Sequence, residues 1–133
     1  HPTEYSIRLK QLAADTPGVV MTGFLRGDEL QAVFSQAKLF VMPSYHEGLP
    51  IALLEAMSFS LPAVVSDIPA NLEVKLPPDA YFKVGNLTNL AEKMAVWAAA
   101  NSVDYSVYLQ NYNWHEIARK TVNVYHSIDK DIG

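Results

Sequence analysis

The chain has 133 residues, half of them hydrophobic and 18% charged, with a net charge of −4 and no cysteine. This composition supports a real hydrophobic core of ordinary domain size and excludes a disordered chain. It also excludes disulfides, thiolate zinc sites and cysteine nucleophiles, and no Lys/Arg cluster reaches the density of a nucleic-acid surface.

Residues 3 to 15 (TEYSIRLKQLAAD) read as an amphipathic helix with Ile7, Leu9 and Leu12 on its apolar side, capped by Thr3 and stopped by Pro17 and Gly18. Residues 19 to 22 (VVMT) read as a short buried strand ending at Gly23. Asp28 to Ala37 has helical spacing, with Leu30, Val33, Phe34 and Ala37 inward. Leu39 to Met42 is a second strand. Pro50 to Phe59 is a helix, with Pro50 in the first turn where a missing N–H costs nothing. Pro62 to Ser66 is a third strand, and Tyr81 to Val84 a short fourth one at an edge. Leu87 to Ala100, 103 to 110 and 114 to 128 complete the helices, the last with Trp114, Ile117, Val122 and Tyr125 on its apolar side. Apolar strands alternating with amphipathic helices imply an α/β fold with a parallel sheet covered on both faces.

In such sheets ligands bind beyond the carboxyl ends of the strands. Three loops are expected there: GFLRG (23–27), SYHEG (44–48) and SDIPANLE (66–73). The middle one opens the most informative stretch. Glu47 and Glu55 are separated by seven residues, and Glu55 is the only charged side chain between Glu47 and Val65. A carboxylate in so apolar a helix is costly to bury unless it has a partner or faces a cavity. The helix tip after Gly48 offers unpaired amides and partial positive charge, which suits phosphate. Those amides would come from Leu49, Ile51 and Ala52, since Pro50 has none. Glu47 lies before the helix and reaches hydroxyls on the group beyond the phosphates. Glu55 lies further in, where a carboxylate accepts two hydrogen bonds from a vicinal diol such as ribose. Diphosphate at the tip, ribose on one side and a sugar on the other is the layout of a nucleotide sugar. Plainer readings stay open beside these. Glu55 is then a partly exposed helix residue or a lysine's partner, and Glu47 a solvated loop residue. Ser44 only caps the turn, His46 is a polar loop residue, Glu73 is a helix cap, and Phe24 and Leu25 are loop packing.

EGLPIALLE, with Glu47 and Glu55 at its ends, resembles the Glu-x7-Glu motif of the group 1 (family 4) glycosyltransferases. The resemblance extends through VMTGFLRGDELQAVFSQAKLFVMPS, LEAMSFSLPAVVSDIPANLEV and NWHEIARKTVNVYHSI, so it covers nearly the whole chain. It implies a three-layer Rossmann-like domain, residues 1–133, forming the C-terminal, donor-binding half of a two-domain enzyme. On that resemblance Glu47 is the candidate catalytic residue, at the donor sugar's hydroxyls. Glu55 holds the ribose, the amides after Gly48 contact sugar and diphosphate, and Gly23, Phe24 and Leu25 face the base. Glu73 supports the site, while Ser44 and His46 flank Glu47 as further donor contacts. The Gly-Arg…Lys-Gly segment that the resemblance places before the first helix, with its cations for the diphosphate, is not in this sequence, and two further departures bear on the site. The family's EGFGLP is EGLPIA here, and a common Gly-Gly in the following loop is Pro69-Ala70.

The implied reaction is transfer of a sugar from a UDP-, GDP- or ADP-sugar to an acceptor hydroxyl, with retention, in polysaccharide or glycolipid synthesis. No cofactor and no metal is expected. The partners implied are the nucleotide-sugar donor and a missing N-terminal acceptor domain, without which this chain is expected to be inactive. Nucleic acid is not a partner. The expected location is cytoplasmic, with peripheral membrane contact through the missing half. The alternatives are a nucleotide-sugar epimerase of similar fold and a noncatalytic Rossmann-like interaction module.

Overall fold

A computed structural model describes residues 1–110 and Tyr112. The expected helix over 114–128 lies outside the described residues. The chain divides into two compact units, His1–Val33 and Phe34–Gly133.

In the first unit, α1 (Glu4–Ala14) begins with a capping box: Ser6 N donates to Thr3 Oγ1 at 3.1 Å and Thr3 N donates to Ser6 Oγ at 2.9 Å. Gly18, at φ +85°, takes the left-handed turn that follows. Of α1 only Ala13 is buried; Ile7, Leu9 and Leu12, expected inward, are exposed. The segment after the helix is also not the expected strand. Residues 19–22 are irregular, and Val19, Val20 and Met21 are exposed. A strand exists only as one rail of a hydrogen-bonded ladder, and within this unit no second extended segment is present to supply the other. Val19 and Met21 line a groove with Leu9, Leu12 and Ala13. The helix α2 (Gly27–Gln36) starts in this unit and ends in the next. Leu30, Phe34 and Ala37, expected inward, are half-buried, and Val33 is exposed.

The second unit holds a parallel sheet in the order β1 (Phe40–Met42), β2 (Ala63–Ser66), β3 (Tyr81–Phe82). Val41 pairs with Val64 and Val65 with Tyr81. The central strand is buried along its whole length, as expected of a continuous apolar run with neighbours on both sides. α3 (Ile51–Ser58) connects β1 to β2, and α4 (Pro69–Leu72) followed by a 3₁₀ turn (Pro78–Ala80) connects β2 to β3. α5 (Leu87–Trp97) packs on β2 and β3, and its N-cap Asn86 accepts from Asn89 N at 2.9 Å. α6 (Ser106–Leu109) packs on α3.

The core is built from α3 and β2, with Leu53, Leu54, Met57, Val65, Leu76 and Tyr105 among its buried members. Burying Leu53, Leu54, Ala56 and Met57 fixes which side of α3 faces inward. The opposite arc carries Ile51, Glu55 and Ser58, one turn apart, of which only Glu55 is partly shielded. α3 ends in a Schellman motif. Ser60 N donates to the Met57 carbonyl at 2.9 Å and Leu61 N to the Ala56 carbonyl at 3.2 Å, with Ser60 at φ +58°.

Candidate functional site

Because β1, β2 and β3 run parallel, their carboxyl ends share one edge of the sheet. The loops leaving that edge are 43–50 after β1, 67–68 after β2 and 83–86 after β3. Cross-bonds tie them together. Ser66 Oγ, at the end of β2, donates to the Ser44 carbonyl at 2.6 Å. The Asp67 carboxylate accepts from Val84 N at 2.8 Å and lies 3.7 Å from Lys83 Nζ. The Tyr45 ring packs beside Gly85, which sits at φ +80°; a Cβ there would lie 3.6 Å from the Tyr45 hydroxyl. The rim is therefore a braced set of loops.

Glu47 is exposed on this rim, and Ser44 Oγ donates to its Oε1 at 2.6 Å. Ser44 is half-buried and His46 exposed. Gly48 has open space where a Cβ would stand, and its φ is not positive, so nothing in the chain itself demands glycine there. At the helix tip the structure corrects the expected amide set. Pro50, at φ −78° and ψ 66°, forms an inverse γ-turn in which Ile51 N donates to the Leu49 carbonyl at 2.8 Å. Ile51's amide is thus committed, while those of Leu49 and Ala52 have no hydrogen-bond acceptor among the described residues. The Leu53 amide, not expected from sequence, shares that condition because the first bond into the helix is Leu54 N to the Pro50 carbonyl at 3.1 Å.

Glu55 is the fifth residue of α3, about 6 Å along the axis from Ile51. Glu55 is half-buried as a residue, and its carboxylate has no hydrogen bond or ion pair among the described residues. Glu73 is exposed at the C-cap of α4. Burial, and secondarily the Glu73 charge, raises the Tyr112 hydroxyl above its ordinary range. Gly23, Phe24 and Leu25 belong to the first unit. Gly23 sits at φ +69°, Leu25 is half-buried, and Phe24 is exposed with the Arg26 guanidinium 4.6 Å from its ring centre.

The structure adds residues that the motifs did not flag. Ser66 and Asn71 are both fully buried, and Asn71 Nδ2 donates to the Ser66 carbonyl at 2.9 Å and to Ser66 Oγ at 3.3 Å. Tyr81 pins the same segment: its hydroxyl donates to the Asn71 carbonyl at 3.0 Å and accepts from Leu76 N at 2.9 Å. Burial raises that hydroxyl above its ordinary range. A polar pair at the end of an apolar strand was the available signal for Ser66 and Asp67. A lone Asn in a four-residue helix gave none.

Among the described residues no group of three His, Asp or Glu side chains is placed to hold a metal ion. Asp129 and Asp131, spaced as Asp-x-Asp, lie outside them. No helix among the described residues is long and apolar enough to cross a membrane.

Residues 2–99 match the sequence pattern of the family described as glycosyl transferases group 1. An uncharacterized glycosyltransferase of Methanocaldococcus jannaschii is 31% identical over 80% of this chain and 30% of its own length. The sulfoquinovosyl transferase SQD2 of Arabidopsis thaliana is 39% identical over 64% of this chain and 16% of its own. The O-antigen chain mannosyltransferase B of Escherichia coli is 32% identical over 72% of this chain and 22% of its own. The chain therefore spans less than a third of the length of these curated relatives. With the parallel sheet, the braced rim and the family pattern over most of its length, the chain belongs to the group 1 glycosyltransferases.

Proposed function

We propose that this chain is the donor-binding part of a retaining hexosyltransferase. It holds a nucleotide sugar while the sugar passes to an acceptor hydroxyl in polysaccharide or glycolipid synthesis. The observation that carries the reading is Glu55, a half-buried residue on α3 whose carboxylate has no partner among the described residues. A carboxylate with no protein partner keeps its lone pairs for hydrogen bonds from a ligand. A ribose diol supplies two. Glu47, with one oxygen engaged by Ser44, keeps the other for the sugar hydroxyls. The amides of Leu49, Ala52 and Leu53 face the diphosphate, and open space at Gly48 lets the ligand approach the backbone. Ser44, His46 and Glu73 complete the contacts proposed for this chain.

In this reading neither glutamate is an acid or nucleophile of the kind that glycosidases use. Rate comes from positioning and from stabilising the leaving diphosphate and the cationic sugar as they develop. The matched part of this chain covers 30%, 16% and 22% of these relatives, which fits a second, acceptor-binding domain in the full-length protein. Membrane-surface location through that domain belongs to the same proposal. The relatives' names include a mannosyltransferase and a sulfoquinovosyl transferase, which favours a hexose-type donor. A thermal-shift screen of GDP-mannose, UDP-glucose and ADP-glucose on the full-length protein tests the reading. At least one is expected to stabilise the wild type and not Glu55→Gln. No shift with any nucleotide sugar contradicts it.

A further inference from the structure

We infer that Asn71 and Ser66 are positioning residues for Glu47, acting through Ser44. The inference deepens the donor-binding reading and rests on it. The links are continuous. Asn71 Nδ2 donates to Ser66 Oγ at 3.3 Å and to the Ser66 carbonyl at 2.9 Å. Ser66 Oγ donates to the Ser44 carbonyl at 2.6 Å, and Ser44 Oγ donates to Glu47 Oε1 at 2.6 Å.

The direction of each proton is fixed by the chemistry. A serine hydroxyl has one proton, and Ser66 gives its own to Ser44, so its lone pair is what receives Asn71. A carbonyl only accepts, which leaves the Ser44 hydroxyl proton for the carboxylate. Burial falls along the path: Asn71 and Ser66 are fully buried, Ser44 is half-buried and Glu47 exposed. The rigid end lies in the core, where Tyr81 holds the Asn71 carbonyl and Ile68 accepts from its amide. The free end is a long side chain on a loop that would otherwise sample several rotamers. Asn71 retains a buried Oδ1 with no hydrogen-bond partner among the described residues. A buried amide that leaves one polar atom unsatisfied is kept at a cost, and an apolar residue would pack there without it. That cost points to a role for the donor end of the same side chain.

The test is a double-mutant cycle on nucleotide-sugar affinity, using GDP-mannose and UDP-glucose as probes on the full-length protein. Ser66→Ala is expected to weaken binding about fivefold, the loss typical of one hydrogen bond, with Ser44→Ala similar and Ser44→Thr within about twofold of wild type. In a Glu47→Ala background Ser66→Ala is expected to change affinity by less than about 1.5-fold, because the group it positions is gone. A purely structural Ser66 would weaken binding equally in both backgrounds, and that result overturns the inference. Should Ser66→Ala not fold, Asn71→Ala in the same two backgrounds decides it.

If the wild type binds neither these probes nor any other nucleotide sugar, the donor-binding reading fails by itself. The positioning chain is then read without ligand from backbone relaxation by NMR. Ser66→Ala and Asn71→Ala are expected to lower order parameters over residues 45–48 and leave those of α3 unchanged. Unaltered order over 45–48 would overturn it.

Discussion

Replacing Ser60 by glycine is expected to stabilise this protein. Ser60 occupies the left-handed position of the Schellman motif that ends α3, at φ +58°. A side chain in that conformation costs about 1–2 kcal/mol, because Cβ crowds the following carbonyl. Ser60 Oγ has no hydrogen bond among the described residues to offset this, so the side chain contributes little in return. The backbone bonds there do not depend on the side chain: Ser60 N to Met57, and Val103 N to the Ser60 carbonyl at 3.0 Å. Glycine removes the crowding but enlarges the unfolded ensemble, which takes back roughly 0.5–1 kcal/mol. The net gain for Ser60→Gly is about 0.5–1 kcal/mol, a rise in Tm of roughly 2–5 °C. Ser60→Ala keeps Cβ and is expected to fall within about 0.5 kcal/mol of wild type. Urea denaturation followed by circular dichroism, with matched m-values, measures both. A Ser60→Gly variant no more stable than wild type would refute the reasoning, since it would mean the φ of Ser60 carries no strain.

Tyr105 offers a pH-dependent test. Its hydroxyl is buried, and burial pushes it up to about 12; the Ala63 backbone moderates the rise without the geometry of a hydrogen bond. A tyrosine raised in the folded state contributes stability that is complete below pH 10 and is lost as the pH rises through about 12. Tyr105→Phe is expected to match or exceed wild-type stability at neutral pH, and to lose about 2–3 kcal/mol less between pH 10 and 12. Parallel urea curves at both pH values check it. Leu53→Ala, at a side chain with no exposure in the centre of α3, is expected to cost about 2–5 kcal/mol by the same measurement.

The elements legible from sequence were those whose pattern has one physical solution. The continuous apolar runs at 40–42 and 63–66 became strands, and the alternation between them became a parallel crossover. The 19–22 run had the same composition and formed no strand, because β-propensity states a preference for a ladder and cannot provide one. The amphipathic pattern of α1 set its helix but not its burial, which depends on what stands opposite. At the rim, Glu47 and Glu55 stood out because charge is rare in that stretch. The γ-turn that occupies the Ile51 amide did not, since Pro50 permits it without requiring it. Nor did the chain from Asn71 to Glu47. Ser66 and Ser44 lie 22 residues apart, and their contact is set by strand register, which small polar residues do not announce.

The central claim is that Glu55 grips the nucleotide sugar. Isothermal titration of the full-length protein with the nucleotide sugar that stabilises it, comparing wild type with Glu55→Gln, addresses that claim most directly. Loss of hydrogen bonds to a charged carboxylate predicts a weakening of roughly 1.5–3 kcal/mol, about 10- to 150-fold, with unfolding stability unchanged. A Glu55→Gln protein that binds the same nucleotide sugar as tightly as wild type would contradict it.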